Sequence, residues 1–301
     1  MSSALADLIR TAPRLASPAT ARRRLAGLMQ EMDAAPLANL LARPPLRDLA
    51  LGLADHSPYL WGLIVDDPLR LVRLLGAPPR QSLDRLIAAM DGRRDDGEAD
   101  LMRALRLAKR ESALLIALAD LGGAWDLVEV TEALSLFADA AVSCALRFLL
   151  RQHAAAGRLI MDADGRDPER GCGLVVLALG KHGARELNYS SDVDLIVLFD
   201  PRAGVIPDGV EPGPLFVRIT KALARLLQER TGEGYVLRVD LRLRPDPAAT
   251  AVALAIPSAY AYYETLGQNW ERAAMIKARP VAGDKEIGDR FLRELSPFIW
   301  R

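Results

Sequence analysis

Gly180-Lys181-His182-Gly183-Ala184-Arg185-Glu186-Leu187-Asn188-Tyr189-Ser190-Ser191-Asp192-Val193-Asp194-Leu195 follows the apolar run Leu174-Val175-Val176-Leu177-Ala178-Leu179 and opens another, Ile196-Val197-Leu198-Phe199. Short apolar runs bounded by a glycine turn and polar residues read as strands, here over 173–179 and 193–199. Residues two apart on a strand share a face, so Asp192 and Asp194 project side by side, roughly 6–7 Å apart along the backbone. The alternate residues Val193, Leu195 and Val197 are apolar, which makes this a core-packed strand with acids at its polar end. Carboxylates that close call for a cation between them, a geometry suited to hard divalent metals and phosphate chemistry.

Working outward, Tyr235 to Arg244 alternates cleanly. Tyr235, Leu237, Val239, Leu241 and Leu243 face one way and Arg238, Asp240, Arg242 and Arg244 the other, so a third strand is predicted, ended by Pro245. If it neighbours the second strand, Asp240 supplies a third carboxylate, and Arg242 and Arg244 on the same face could grip phosphate oxygens. The competing reading of Asp240 is a salt bridge to Arg238 or Arg242. Ser190 and Ser191 are either a turn or a cradle of hydroxyl and N–H groups for a phosphate. Gly180 permits close backbone approach, and Lys181 is either added charge or a surface lysine. Several alternatives are excluded. The positions around Gly180-Lys181 needed for a Walker A loop hold Val175 and His182, and neither G-x-G-x-x-G nor H-E-x-x-H is present. His56, His153 and His182 are scattered, against a zinc site, and the apolar Leu195–Phe199 run is incompatible with a calcium loop.

The rest of the chain reads as mostly helix. Residues 1–79 carry nine prolines, among them Pro44, Pro58 and Pro68, and suggest short helices joined by Pro-marked turns. Residues 80–167 hold no proline, and Leu101, Leu105, Ala108, Leu115 and Ala119 keep helical spacing. Gly122-Gly123 breaks the pattern before a second long helix over about 128–157. Asp162 to Pro168 reads as a polar linker and Pro201 to Pro214 as a loop. Phe216, Ile219, Leu223, Leu226 and Leu227 define an amphipathic helix. Helices are predicted over 259–266, capped by Ser258, and over 268–278 and 284–295. No internal repeat is visible. The ending Pro297-Phe298-Ile299-Trp300-Arg301 reads as a cut, so the chain is expected to be part of something longer.

Composition narrows the class. Half of the 301 residues are hydrophobic but only 5% aromatic, so Ala and Leu do much of the packing and favour helix. Lys plus Arg balance Asp plus Glu at 39 each, which argues against a general nucleic-acid or membrane-surface binder. Cys144 and Cys172 are too few for a disulfide framework; with no signal peptide and no run of 18 apolar residues, a cytoplasmic location is expected.

The order strand, Gly-Lys, Ser-Asp-Val-Asp-Leu and later strand acid resembles the nucleotidyltransferase superfamily of the polymerase-β type. Leu179-Gly180 matches its hG-[GS] element, with Lys181 where Gly or Ser is usual. Leu179-Gly180-Lys181, Arg185-Glu186-Leu187-Asn188-Tyr189-Ser190-Ser191-Asp192-Val193-Asp194-Leu195-Ile196, Arg238-Val239-Asp240-Leu241-Arg242-Leu243-Arg244-Pro245 and Asn269-Trp270-Glu271-Arg272-Ala273-Ala274-Met275-Ile276-Lys277-Ala278-Arg279 strongly resemble the bifunctional glutamine synthetase adenylyltransferase/adenylyl-removing family. Asn188 and the stretch from Trp270 look like the first, deadenylylating half. The resemblance implies removal of AMP from a tyrosine of glutamine synthetase by inorganic phosphate, giving ADP. It further implies Mg²⁺ or Mn²⁺ held by Asp192, Asp194 and Asp240, with Asp240 assisting proton transfer. Arg242, Arg244, Lys181 and Lys277 would hold phosphates, although helix geometry alone leaves Lys277 equally well a surface lysine. A PII signal protein would act through a part outside this chain. Two rivals remain: forward transfer of AMP from ATP to a protein tyrosine, and a non-catalytic module docking glutamine synthetase. These readings predict an α+β fold with a helical region over 1–162, a nucleotidyltransferase-like core with a small mixed sheet over 163–250, and a C-terminal helical extension over 251–301.

Overall fold

The computed structural model describes residues 3–30, 35–92, 97–161 and 167–300. The linker predicted at Asp162–Pro168 therefore lies mostly outside the described residues. Contacts divide the chain into two units, residues 1–89 with 107–133 and residues 90–106 with 134–301. The fold is α+β.

The first unit is helical. Pro44, Pro58 and Pro68 each sit in the first turn of a helix (Pro44–His56, Pro58–Asp66, Pro68–Leu75), where the missing N–H has no intrahelical partner to lose. Ser57 and Asp67 cap the latter two by accepting from the N–H groups of Leu60 and Arg70, both at 3.2 Å. The Arg70 side chain is buried and bonds Glu111 at 3.0 Å. Two long helices, Glu98–Leu121 and Leu127–Ala155, contribute residues to both units. The second has the length and apolarity of a membrane span, and 67% of its most apolar window is buried in the fold.

The second unit carries a mixed sheet of β1 (Leu174–Ala178), β2 (Val193–Phe199), β3 (Val239–Asp240), β4 (Ala253–Ala255) and β5 (Arg279–Gly283). β1 lies antiparallel to both β2 and β5, and β3 and β4 run parallel to β2 along its other edge. One face, with Val175, Leu177, Ile196 and Leu198, is covered by the helices Ile256–Thr265, Asn269–Met275 and Lys285–Ile299 through Tyr263, Met275 and Phe291. The opposite face meets the amphipathic helix Pro212–Gln228, where Phe199 and Phe216 stack at 5.0 Å. Burial on both sides is why β1 and β2 are unbroken apolar runs.

Two expectations are corrected. The third strand is not continuous over Tyr235–Arg244. Only Val239 and Asp240 pair, opposite Val193 and Asp194; a loop over 241–252 then leaves the edge, and β4 rejoins it opposite Val197–Phe199. The ladder stops because the Arg242 N–H is bonded at 2.8 Å by the Asp240 side chain. Upstream, the N–H groups of Val236 and Leu237 bond the carbonyl of Leu227 instead of a strand. The region 251–301 is likewise not purely helical, since it supplies β4 and β5. Its first helix starts at Ile256 after Ala255, with no cap from Ser258, and Asp284 rather than a helical residue caps the last.

Arg106 sets the approach to β3. It is fully buried and donates to the carbonyls of Met102 at 2.8 Å, Leu226 at 3.3 Å and Gly234 at 2.9 Å, and to that of Glu229. It thus satisfies the carbonyl end of the helix Pro212–Gln228 and the turn after it. Arg106→Met should destabilise the chain by about 3 kcal/mol or more, because several buried carbonyls lose a charged donor at once. Urea unfolding would measure this, and an unchanged midpoint would contradict the clamp.

Candidate active site

The site forms where β2 emerges from the core. Asp192, Asp194, Ile196 and Leu198 share one face of the strand by alternation. The inner two are buried in the apolar cluster, whereas Asp194 is partly buried and Asp192 exposed. Parallel pairing sets Asp240 directly opposite Asp194. The sheet therefore brings two carboxylates into one register position and leaves the third two residues upstream.

The turn after β1 closes the site from the other side. The Leu179 N–H bonds the Asp194 carbonyl at 2.9 Å, and Gly180 then turns the chain at φ +54° into the short helix Gly180–Gly183. A Cβ on Gly180 would sit 3.0 Å from Asp194 Oδ2. Gly180 is therefore required both for its left-handed backbone and for its closeness to a carboxylate. Ser190 also has positive φ, +57°, at the entry to β2, a conformation uncommon outside glycine.

Two arginines meet the outer acids. Arg238 bonds Asp192, the Ser190 carbonyl, Ser190 Oγ at 3.2 Å and Tyr235 Oη at 3.2 Å. Arg242 curls back on Asp240, with Nε 2.9 Å from Oδ2 and 3.0 Å from Oδ1. This is the salt bridge weighed as the alternative reading of Asp240. The Arg242 guanidinium holds the Asp240 carboxyl below its ordinary range, which suits a permanent anion better than a proton acceptor. Asp194 behaves oppositely. Its carboxylate has no hydrogen-bond or ion-pair partner among the described residues, and burial, then the charges of Asp240 and Asp192, push its pKa up. A partly buried carboxylate beside two others and without a donor is a group that a hard cation would relieve. Among the described residues, no three His, Cys, Asp or Glu side chains already stand arranged around a metal position. The donors fit such an ion in chemistry, with Asp192 and Asp240 turned to arginines.

The other predicted residues divide. Lys181 is exposed on the Gly180 turn. Ser191 lies in the turn, its N–H 3.3 Å from the Asn188 carbonyl. Lys277 pairs with Glu186 at 2.6 Å, both side chains being exposed. Arg244 is committed to the carbonyls of Leu241, Pro247 and Thr250, at 2.6, 2.8 and 3.3 Å, so it braces its own loop. Sequence reasoning missed a second layer: Asp139, His182, Gly183 and Arg279. Asp139 lies far from the others in sequence, and His182 reads as one of three scattered histidines; the second glycine of Gly-Lys-His-Gly and Arg279 at the end of the Trp270 stretch were the local signals.

A family model described as glutamate-ammonia ligase adenylyltransferase matches residues 51–294. A bifunctional glutamine synthetase adenylyltransferase/adenylyl-removing enzyme of Xanthobacter autotrophicus is 54% identical over 302 residues, covering 99% of this chain and 30% of that protein. Proteins of the same description from a Bradyrhizobium species and from Rhodopseudomonas palustris are 53% and 50% identical, each over 99% of this chain and 31% of their own length. The chain thus spans about 30% of the length of these curated relatives.

The raised Asp194 pKa has a sign that can be checked. A carboxyl whose folded pKa exceeds its unfolded value stabilises the fold at acid pH, and that contribution is lost as pH rises through the folded value. Asp194→Asn should therefore raise the Tm of the metal-free chain at pH 7 by about 1–3 °C. The gain should shrink towards pH 4. Calorimetry across that range would test it, and an equal or larger gain at pH 4 would contradict the assigned cause.

Proposed function

The chain belongs to the glutamate-ammonia ligase adenylyltransferase family, and we propose that it removes AMP from an adenylylated tyrosine of glutamine synthetase by phosphorolysis. The carrying observation is the register of Asp194 against Asp240, closed by the Gly180 turn. It makes a strong anionic focus at a strand end, beside an exposed lysine. The motif from Glu186 to Asp194 and the stretch from Trp270 to Arg279 support the deadenylylating direction, through the resemblance to the first half of the family's enzymes.

In this reading inorganic phosphate attacks the adenylyl phosphorus in line. A phosphate oxygen-to-phosphorus bond forms, the bond to the tyrosine oxygen breaks, and the leaving phenolate takes a proton; the products are ADP and free tyrosine. Asp194 and Asp240, joined by Asp192, would hold Mg²⁺ or Mn²⁺. Bound there, such an ion supplies Lewis-acid stabilisation to the oxygens that gain charge. The chain's own residues do the rest. The Gly180 turn keeps Asp194 in place and presents Lys181 to phosphate charge. The Ser190-Ser191 turn offers a hydroxyl and N–H rim. Arg242, 82% exposed at its side chain, is free on its outer side to exchange Asp240 for a phosphate oxygen. Lys277 adds charge from the Trp270 motif, and Arg244 shapes the loop that carries Arg242. A PII signal protein would act through the part of the relatives that this chain does not span.

The test is incubation of the chain with adenylylated glutamine synthetase, Mg²⁺ and phosphate. Release of ADP and of unmodified tyrosine is expected, with Asp194→Asn and Asp240→Asn each lowering turnover by about 10³-fold or more. If AMP-tyrosine survives phosphate while ATP adenylylates the tyrosine, the reaction runs forward and the reading is wrong. Unchanged turnover in both variants would contradict the role of the acids, and no turnover in either direction with retained binding to glutamine synthetase would leave a docking module.

A further inference from the structure

Beneath the Gly180 turn lies a partly buried polar cluster that no step above uses. Asp139, on the helix Leu127–Ala155, bonds His182 Nε2 at 2.7 Å and takes both terminal nitrogens of Arg279, at 2.7 and 3.1 Å. A carboxylate can only accept, so His182 Nε2 carries a proton and donates it to this bond. The His182 side chain is fully buried, and among the described residues its Nδ1 has no hydrogen-bond partner, so the bond to Asp139 is the ring's one polar anchor there. Burial alone would raise the Asp139 carboxyl, but the hydrogen bonds from His182 and Arg279 outweigh it and keep it an anion.

Arg279 ties the same cluster to the turn's backbone. It donates to the Gly183 carbonyl at 3.2 Å and to the His182 carbonyl at 3.1 Å. Gly183 leaves no room for adjustment, since a Cβ there would meet the Lys277 carbonyl at 2.0 Å and that of Ala178 at 2.6 Å. Two segments remote in sequence, the helix carrying Asp139 and the stretch Lys277–Arg279, therefore converge on four residues, Gly180–Gly183. Those residues carry Lys181 and touch Asp194.

We propose that Asp139 is a positioning residue of the transfer reaction: held by His182 and Arg279, it fixes the Gly180–Gly183 turn and through it the placement of Asp194 and Lys181. The kinetic half of this inference rests on the phosphorolysis reading; the structural half does not. A mispositioned reacting group lowers kcat more than substrate affinity.

The experiment uses the full chain as wild type, Asp139→Asn, His182→Gln and His182→Leu. Hydrogen exchange reads the amides of Gly183, Ala184 and Glu186, which bond the carbonyls of Leu179, Gly180 and Lys181. In Asp139→Asn and His182→Leu these amides should exchange about tenfold or more faster while the helix Pro212–Gln228 stays protected. kcat should fall by about tenfold or more, with KM for adenylylated glutamine synthetase within about twofold. Gln can still donate to Asp139, so His182→Gln should stay near wild type in both measures. Unchanged exchange at the turn, uniform loss of protection throughout the unit, or a loss confined to KM would overturn the proposal. If Asp139→Asn fails to fold, the contrast between His182→Gln and His182→Leu carries the same test. If wild type performs no phosphorolysis yet the turn loosens selectively, the anchoring stands and the reaction reading is what fails.

Discussion

The parallel pairing of Asp194 with Asp240 is the constraint around which this unit is organised. Two carboxylates in one register position repel, and the fold accepts that repulsion because β1 and β2 are buried on both faces by helices that leave the strands no freedom to slip. A one-residue shift of β2 would drive its acids into the opposite, apolar face. The core that makes Val175, Leu177, Ile196 and Leu198 inaccessible is thus the same device that holds the acids at the rim.

Charge at the rim is graded. Asp192 and Asp240 each have an arginine of their own, whereas among the described residues Asp194 has none and has its pKa pushed up by burial. The chain's balanced total charge conceals this local anionic excess. It also explains why the nearby cations come as exposed side chains on turns. A long, mobile guanidinium or ammonium can exchange a carboxylate for a phosphate oxygen without moving the backbone.

How much was legible from the residues follows from how local each feature is. β1 and β2 announce themselves because doubly buried strands need uninterrupted apolar runs, and the glycine turn and acid pair lie between them. The alternation from Tyr235 to Arg244 misled because period two reports sidedness, not pairing. Asp240 bonding the N–H two residues on ends the ladder, and that side-chain choice leaves no trace in the pattern. β5 was hidden for another reason: Arg279-Pro280-Val281-Ala282-Gly283 contains a proline, placed where the pairing with β1 shifts register, and it directly follows a helical stretch. The Asp139 cluster is assembled from three distant segments, so only coordinates reveal it. Arg106 was likewise invisible, a charged residue in a helix whose partners, Met102 apart, lie beyond residue 220.

The loop between β3 and β4 departs from and returns to a single edge of β2, and Arg244 binds it together from inside through three carbonyls. Its length is therefore uncoupled from the alignment of the sheet. Residues could be added or removed between Asp246 and Thr250 while the paired acids kept their spacing, provided Arg244 retained its acceptors. Such a self-braced excursion is a natural place for diversification: its outer contour can be recut to fit a different protein surface, leaving the reacting groups where they are.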